Sequence, residues 1–199
     1  MKKQDFKVLK TKDLYPFPDN PFHVAEDETL SELAESIKEF GIVTPIITRP
    51  KEDGNGYEVI AGQRRVRASE LAGINTVPAF VLPLDHDRAI ITLVDSNLQR
   101  ENILPSERAF AYRMKSEAMK RQGFRTDLTS SQVVTKLRTD DKVAQGFGVG
   151  RMTVQRFIRL TELIPPILQM VDEGKIALTP AVELSFFCLL YTSDAADDK

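Results

Sequence analysis

The sequence predicts an α+β protein, a small α/β domain followed by an all-α domain built around a helix-turn-helix. Three observations carry this. Short apolar runs alternate with helical patterns through the first half of the 199 residues, whereas the second half reads as helical throughout. A Gly-containing turn between two short helical patterns follows at residues 143–160. The charge is also unevenly placed: the net −2 of the chain is made of −4 over Met1–Ser96, +7 over Asn97–Leu160 and −5 beyond. A concentrated basic segment is the electrostatic footprint of phosphate-backbone binding, although a solvated face of charged helices has the same composition.

In order along the chain, Val8-Leu9 opens a strand. Thr29-Leu30-Ser31-Glu32 has the spacing of a capping box, and Leu30, Leu33, Ala34, Ile37 and Phe40 then share one helical face until Gly41. Ile46-Ile47-Thr48 and Tyr57-Glu58-Val59-Ile60 read as a hairpin joined through Asp53-Gly54-Asn55-Gly56. A helix follows from Gln63 towards Gly73, then a strand over Val77–Leu82. Asp85 caps a helix through Ala89, Ile90, Leu93 and Val94. Ser106, after Pro105, caps another that runs to about Gln122.

Between the second hairpin strand and its helix stands Gly62-Gln63-Arg64-Arg65. Glycine there lets a ligand approach the backbone, and first-turn N–H groups with flanking arginines attract anions. Alone, the motif equally fits a tight turn before an exposed basic helix. In the second half, Ala144, Gly148 and Val154 are spaced as the small residue, turn glycine and core residue of a helix-turn-helix, with Phe147, Val149 and Ile158 completing the seam. With Val154, Phe157 and Ile158 inward, Arg151, Thr153, Gln155, Arg156 and Arg159 remain for a DNA groove and its phosphates. Gly146 weakens the first helix by roughly 1 kcal/mol relative to alanine, and Gly150 stands where serine would cap the second. Pro166 and Gly174 suit the start and end of a supporting helix.

Pro18-Asp19-Asn20-Pro21-Phe22, Gly41-Ile42-Val43-Thr44-Pro45-Ile46, Gly62-Gln63-Arg64-Arg65 and Asn97-Leu98-Gln99-Arg100-Glu101-Asn102 occur in the order of the ParB N-terminal domain, which is related to sulfiredoxin. The second half, through Leu160–Pro166 and Val171–Ala181, resembles the ParB DNA-binding region, so the likeness covers Phe6 to Phe186. What it implies is a CTP and Mg2+ site in which Thr44, Gly62, Gln63, Arg64, Arg65, Asn97 and Arg100 bind the nucleotide and Asn97 ligates the metal. It also implies a homodimer and a ParA-type ATPase partner. Gln63 and Ser96 stand where the family has glutamates, which makes CTP hydrolysis less secure than CTP binding.

The expected division is 1–96 for the nucleotide domain, 97–125 for connecting helices completing its site, and 126–187 for the DNA-binding domain. Residues 188–199 resemble translated sequencing-adapter DNA and are expected to lie outside the fold, which would leave Cys188 without a role and remove a C-terminal dimerisation domain. The start lacks the apolar segment of a signal peptide, and no apolar run approaches the roughly 20 residues of a membrane span, so the expected location is cytoplasmic and nucleoid-associated. The function this supports is a CTP-dependent sliding clamp loaded at a palindromic parS-like site in double-stranded DNA, with weak CTPase activity at most. The alternatives are a transcription or nucleoid-occlusion regulator of the same fold and, less favoured, a small-molecule phosphotransferase. Sulfiredoxin chemistry requires a cysteine that Gln63-Arg64 does not offer.

Overall fold

The computed structural model describes residues 5–18, 20–97, 100, 102–126 and 139–194, with side chains throughout except at 123–126 and 189–194. Asp19, Leu98, Gln99 and Glu101 of the expected ligand boxes, and 127–138 of the expected DNA-binding domain, lie outside the described residues. The chain divides into two compact units, Met1–Asn97 and Leu98–Lys199. The first is mixed α/β and the second helical, the α+β architecture read from the pattern.

The first unit holds strands β1 (Asp5–Lys10), β2 (Leu14–Pro16), β3 (Ile46–Pro50), β4 (Tyr57–Ala61) and β5 (Thr76–Val81) in the order β1-β5-β3-β4-β2. The β1–β5 and β3–β4 pairs are antiparallel, and β3–β5 and β2–β4 are parallel. Alternation explains β5: Val77, Ala79 and Val81 turn inward and pack with Leu9, Ile46 and Val59. In β4, by contrast, Glu58, Val59 and Ile60 are all buried, so the carboxylate needs a partner away from water. Register provides one. Arg49 lies directly across from Glu58, and its Nε donates to Glu58 Oε2 at 2.6 Å, while its guanidinium lies 5.2 Å from the centre of the Phe17 ring.

Helix α1 (Glu28–Phe40) buries Leu30, Ala34 and Ile37 against Ala68 of α2 (Gln63–Leu71). Full burial of Leu30 or Ile37 contributes about 1.5–3 kcal/mol each. Two expectations are corrected here. The N-cap is Asp27, whose Oδ1 accepts from Leu30 N–H at 2.9 Å, and not the Thr29 box, because Asp27 stands just before the first helical residue. Phe40 is 70% exposed, although Ile37 in the same last turn is buried. Gly41 closes α1 at φ +72°. Helix α3 (His86–Asn97) begins as expected, with Asp85 Oδ1 accepting from Arg88 N–H at 2.8 Å, and buries Ala89, Ile90, Leu93 and Val94.

The second unit contains α4 (Pro105–Thr126), α5 (Thr139–Gly146), α6 (Arg151–Arg159), α7 (Pro165–Asp172) and α8 (Leu178–Asp194). Ser106 does not cap α4. Its N–H and hydroxyl donate to Asp172 at 2.8 and 2.6 Å, and Glu107 instead accepts from Leu104 N–H at 3.3 Å. One cluster joins Tyr112 of α4 to Val143, Ala144 and Val154; another joins Ala109 to Leu160, Leu163, Val171 and Ala181. Helix α8 runs through the adapter-like residues to Asp194, with Cys188 half-buried beside the second cluster. Among the described residues no helix is long and apolar enough to cross a membrane.

Candidate functional site

The strand-to-helix turn of the first unit is built on a backbone that only glycine adopts readily. Gly62 has φ +100°, and a Cβ there would stand 2.7 Å from Ile46 Cγ2 and 3.0 Å from an Arg65 guanidinium nitrogen. Its carbonyl accepts from the N–H groups of Arg65 and Val66 at 3.0 and 3.1 Å, which starts α2 with Gln63, Arg64 and Arg65 in the first turn.

These three side chains go to different partners. Arg64 donates to Asp27 at 3.1 and 3.4 Å and to Thr29 Oγ1 at 2.5 Å. The Arg64 hydrogen bond, aided by Thr29, holds the Asp27 carboxyl down to about 2, from 3.8. Arg65 donates to the carbonyls of Thr44 and Pro45, tying the loop after α1 to α2, and burial holds its guanidinium below the usual arginine range. Gln63 Oε1 accepts from Asn20 Nδ2 at 2.7 Å, while Gln63 Nε2 is buried with no acceptor among the described residues. Gln63 also lines a cleft of about 260 Å³ with Tyr15, Val24, Glu26 and Arg67.

Thr44 therefore joins the Gly62–Arg65 turn through its carbonyl, and its own residue is exposed. Asn97 sits at the end of α3 and donates to Leu93 O at 2.8 Å and Ser96 Oγ at 3.4 Å; among the described residues no hydrogen bond ties it to α2. Its amide oxygen could give Mg2+ one hard ligand, the remainder coming from phosphate oxygens and water. Among the described residues no cluster of three His, Cys, Asp or Glu could hold a metal. Arg100 is exposed in the second unit. Sequence reasoning missed Asp27 and Thr29 as the partners of Arg64, and Asn20 as the partner of Gln63, although Asn20 lay inside one of the boxes.

Because Asp27 titrates lower in the folded chain than its ordinary 3.8, the stability it contributes is present above pH 4 and is lost as pH falls towards 2. Asp27→Asn keeps a capping side chain and removes the charge. Thermal melts of the two proteins are expected to differ between pH 5 and 7 and to converge by about pH 2. A gap that is independent of pH would contradict the Arg64 contact.

In the second unit α5 and α6 form the expected helix-turn-helix. Gly148 takes φ +63° in the turn, Val149 N–H donates to Ala144 O at 3.1 Å, and Val154 is fully buried. Gly150 occupies the N-cap without a side-chain bond. Phe157 faces inward, edge-on to Tyr112 with ring centres 5.8 Å apart.

The side chains of α6 expected to face DNA lie in different surroundings. Arg156 is exposed, beside Met152 at 64% exposure, a position the polar pattern passed over. Thr153 is half-buried in the first turn. Gln155 is committed to Asp140, which accepts from it at 3.2 Å and from Ser116 at 3.0 Å. Arg159 stacks 4.0 Å from the ring centre of Phe186, and both it and Arg151 bury an Nε with no acceptor among the described residues. Met152, Gln155, Arg156 and Arg159 border a groove of about 740 Å³ shared with α4 and α8.

Residues 1–98 match the family model of the ParB N-terminal domain. The chain is 38% identical over 161 residues to the probable chromosome 1-partitioning protein ParB of Deinococcus radiodurans, covering 81% of this chain and 49% of that one. It is 32% identical over 176 residues to a nucleoid occlusion protein of Halalkalibacterium halodurans, covering 88% and 56%. The chain thus spans about half the length of the curated relatives it matches. Among solved structures, the C-terminally truncated chromosome-partitioning protein ParB of Caulobacter crescentus, complexed to the centromeric parS site, is 26% identical with a TM-score of 0.58, over 90% of this chain and 84% of that one. The turn at Gly62, the helix-turn-helix and these matches agree, and the chain belongs to the ParB family.

Proposed function

We propose that this chain is the nucleotide- and DNA-binding part of a partition protein, which binds CTP at the Gly62–Arg65 turn and grips a palindromic parS-like duplex through α6. The observation that carries the DNA reading is the match along nine-tenths of the chain to a ParB held on its parS site. The basic segment and the exposed Arg156 supply the chemistry, since phosphate neutralisation releases counterions. Arg156→Ala is expected to weaken binding to a parS-like palindrome and to lower the slope of log affinity against log salt by about 1. Fluorescence anisotropy across a salt series reads both.

The nucleotide reading rests on the Gly62 backbone and the two arginines of the first helical turn. Titration calorimetry with CTP, ATP and GTP tests it: binding of CTP alone is expected, and equal or absent binding of all three would remove it. When bound, the triphosphate and Mg2+ would favour engagement of two N-terminal units into a clamp. Hydrolysis would be slow, because Ser96 brings a hydroxyl turned onto Leu93 O at 2.9 Å in place of a carboxylate. Phosphotransfer to a small molecule has no feature in its favour beyond the anion-binding turn.

Dimerisation, a ParA-type ATPase partner and nucleoid location belong to the same proposal. So does a division of labour in which 1–96 holds the nucleotide, 97–125 completes the site and 126–187 reads DNA. A nucleoid-occlusion role is a second reading, favoured by the similarity to the Halalkalibacterium protein. Mapping genomic binding sites separates the two, because a cluster beside a partition operon supports segregation and dispersed sites support occlusion or regulation.

A further inference from the structure

We propose that β1 is a self-pairing edge: two copies of this chain join through it, antiparallel about a twofold axis at Phe6, with Asp5 of each copy opposite Lys7 of the other. This contact needs neither nucleotide nor DNA.

Strand β1 lies at one edge of the sheet and pairs with β5 alone, so alternate N–H and C=O groups along its other side are left for water or for another strand. Proteins usually blunt such edges with short strands, proline, bulges or lysine. The opposite edge is blunted in this way, since β2 has three residues and ends in Pro16. Strand β1 instead runs for six residues without proline, and its register against β5 is unbroken from Asp5 to Lys10. It also holds apolar side chains out to water, with Phe6 57% and Val8 64% exposed. The deterrents it carries are Lys7 and Lys10, and Asp5 turns the first of them into a complement.

The order of charges along β1 decides the partner. Residues directly opposite in an antiparallel pair share a face, so a twofold axis normal to the sheet passes through a like-numbered pair. With the axis at Phe6, Asp5 meets Lys7 twice. Both side chains are exposed and both line one cleft of about 280 Å³, which places them on the same face of the strand. An axis at Lys7 would set the two lysines against each other, and an axis at Val8 would leave Lys7 opposite Leu9 and Asp5 beyond the end of the strand.

On the other face Ile47, Phe80 and Phe6 stand in one row across β3, β5 and β1, the two rings edge-on with centres 5.7 Å apart. The second copy continues this row in reverse order through its own Phe6, Phe80 and Ile47, and only the axis at Phe6 aligns the two rows. Opposite charges and aromatic rings paired across strands both stabilise a sheet. One strand laid against one strand is far smaller than a standard interface, so the association is weak and reversible, in the micromolar to millimolar range.

Sedimentation equilibrium of the full chain, without nucleotide or DNA, is expected to show the mass rising with concentration from monomer towards dimer. Asp5→Lys and Lys7→Asp each set two pairs of like charges against one another and are each expected to weaken association at least about tenfold. The double reversal Asp5→Lys/Lys7→Asp keeps the net charge and restores the opposite charges, and its affinity is expected within about threefold of that of the unaltered chain. Both positions are exposed, so thermal melts of all four proteins are expected to coincide. A chain that stays monomeric up to about 1 mM overturns the proposal. So does a dimer that the single reversals leave unchanged, or one that they weaken and the double reversal fails to restore.

Discussion

Glu58→Ala is expected to destabilise the protein by about 3–5 kcal/mol, the usual result of leaving one member of a buried ion pair alone. Arg49 and Glu58 have side chains only 4% and 7% exposed, and their 2.6 Å bond links opposite positions of β3 and β4. Removing the carboxylate leaves a guanidinium with little water and one weak alternative, Glu52 at 3.6 Å, which is 78% exposed and well solvated. For a unit of this size the midpoint should fall by roughly 4–8 °C per kcal/mol. The double replacement Arg49→Met/Glu58→Met is expected to be markedly more stable than Glu58→Ala, because removing both charges also removes both desolvation costs. Thermal or urea melts of the three proteins measure this. A Glu58→Ala protein within about 1 kcal/mol of the unaltered chain would mean that water reaches the pair.

Arg64→Ala/Arg65→Ala is expected to lower CTP affinity by at least about 100-fold while leaving parS-like DNA binding intact. Each arginine brings a charge-assisted bond worth about 1.5–3 kcal/mol to a buried or semi-buried anion, and about 1.4 kcal/mol is tenfold in affinity. The two differ in what else they hold. Arg64 is bonded to side chains, so its loss alone should leave the backbone of the turn unchanged. Arg65 clasps the carbonyls of Thr44 and Pro45, so its loss should also loosen the loop after α1. Arg64→Ala is accordingly the cleaner variant for calorimetry, and Arg65→Lys tests whether charge without the planar fork suffices. Loss of nucleotide and DNA binding together would indicate unfolding and not a site effect.

Much of this was legible in the sequence because it is written in local spacing. The hairpin of β3 and β4, the glycine that starts α2 and the Ala144-Gly148-Val154 turn depend on short-range periods along the chain, and each is found where the pattern placed it. What escaped was the pairing of distant polar groups. Nothing near Gln155 in the sequence announces that Asp140 will bind it, and nothing near Ser106 announces Asp172. Ser106, so engaged, does not supply the cap expected of it, and Gln155 carries a contact within the unit beside the DNA-facing role proposed for it. The Asp27 cap was missed for a different reason: Asp27 and Thr29 both satisfy the preference for an oxygen-bearing side chain, and only the backbone decides which of them precedes the first helical residue.

Asp27 holds three donors with one carboxylate, Leu30 N–H, the Thr29 hydroxyl and Arg64, and all three reach the same oxygen. An arriving anion that recruits Arg64 must therefore win it from a competitor already in place, so that occupancy is an exchange of counter-charges and not the filling of a bare positive hole. The cap bond to Leu30 does not depend on Arg64, so the exchange would leave behind an electrical change: a carboxylate freed of its cation at the positive end of α1.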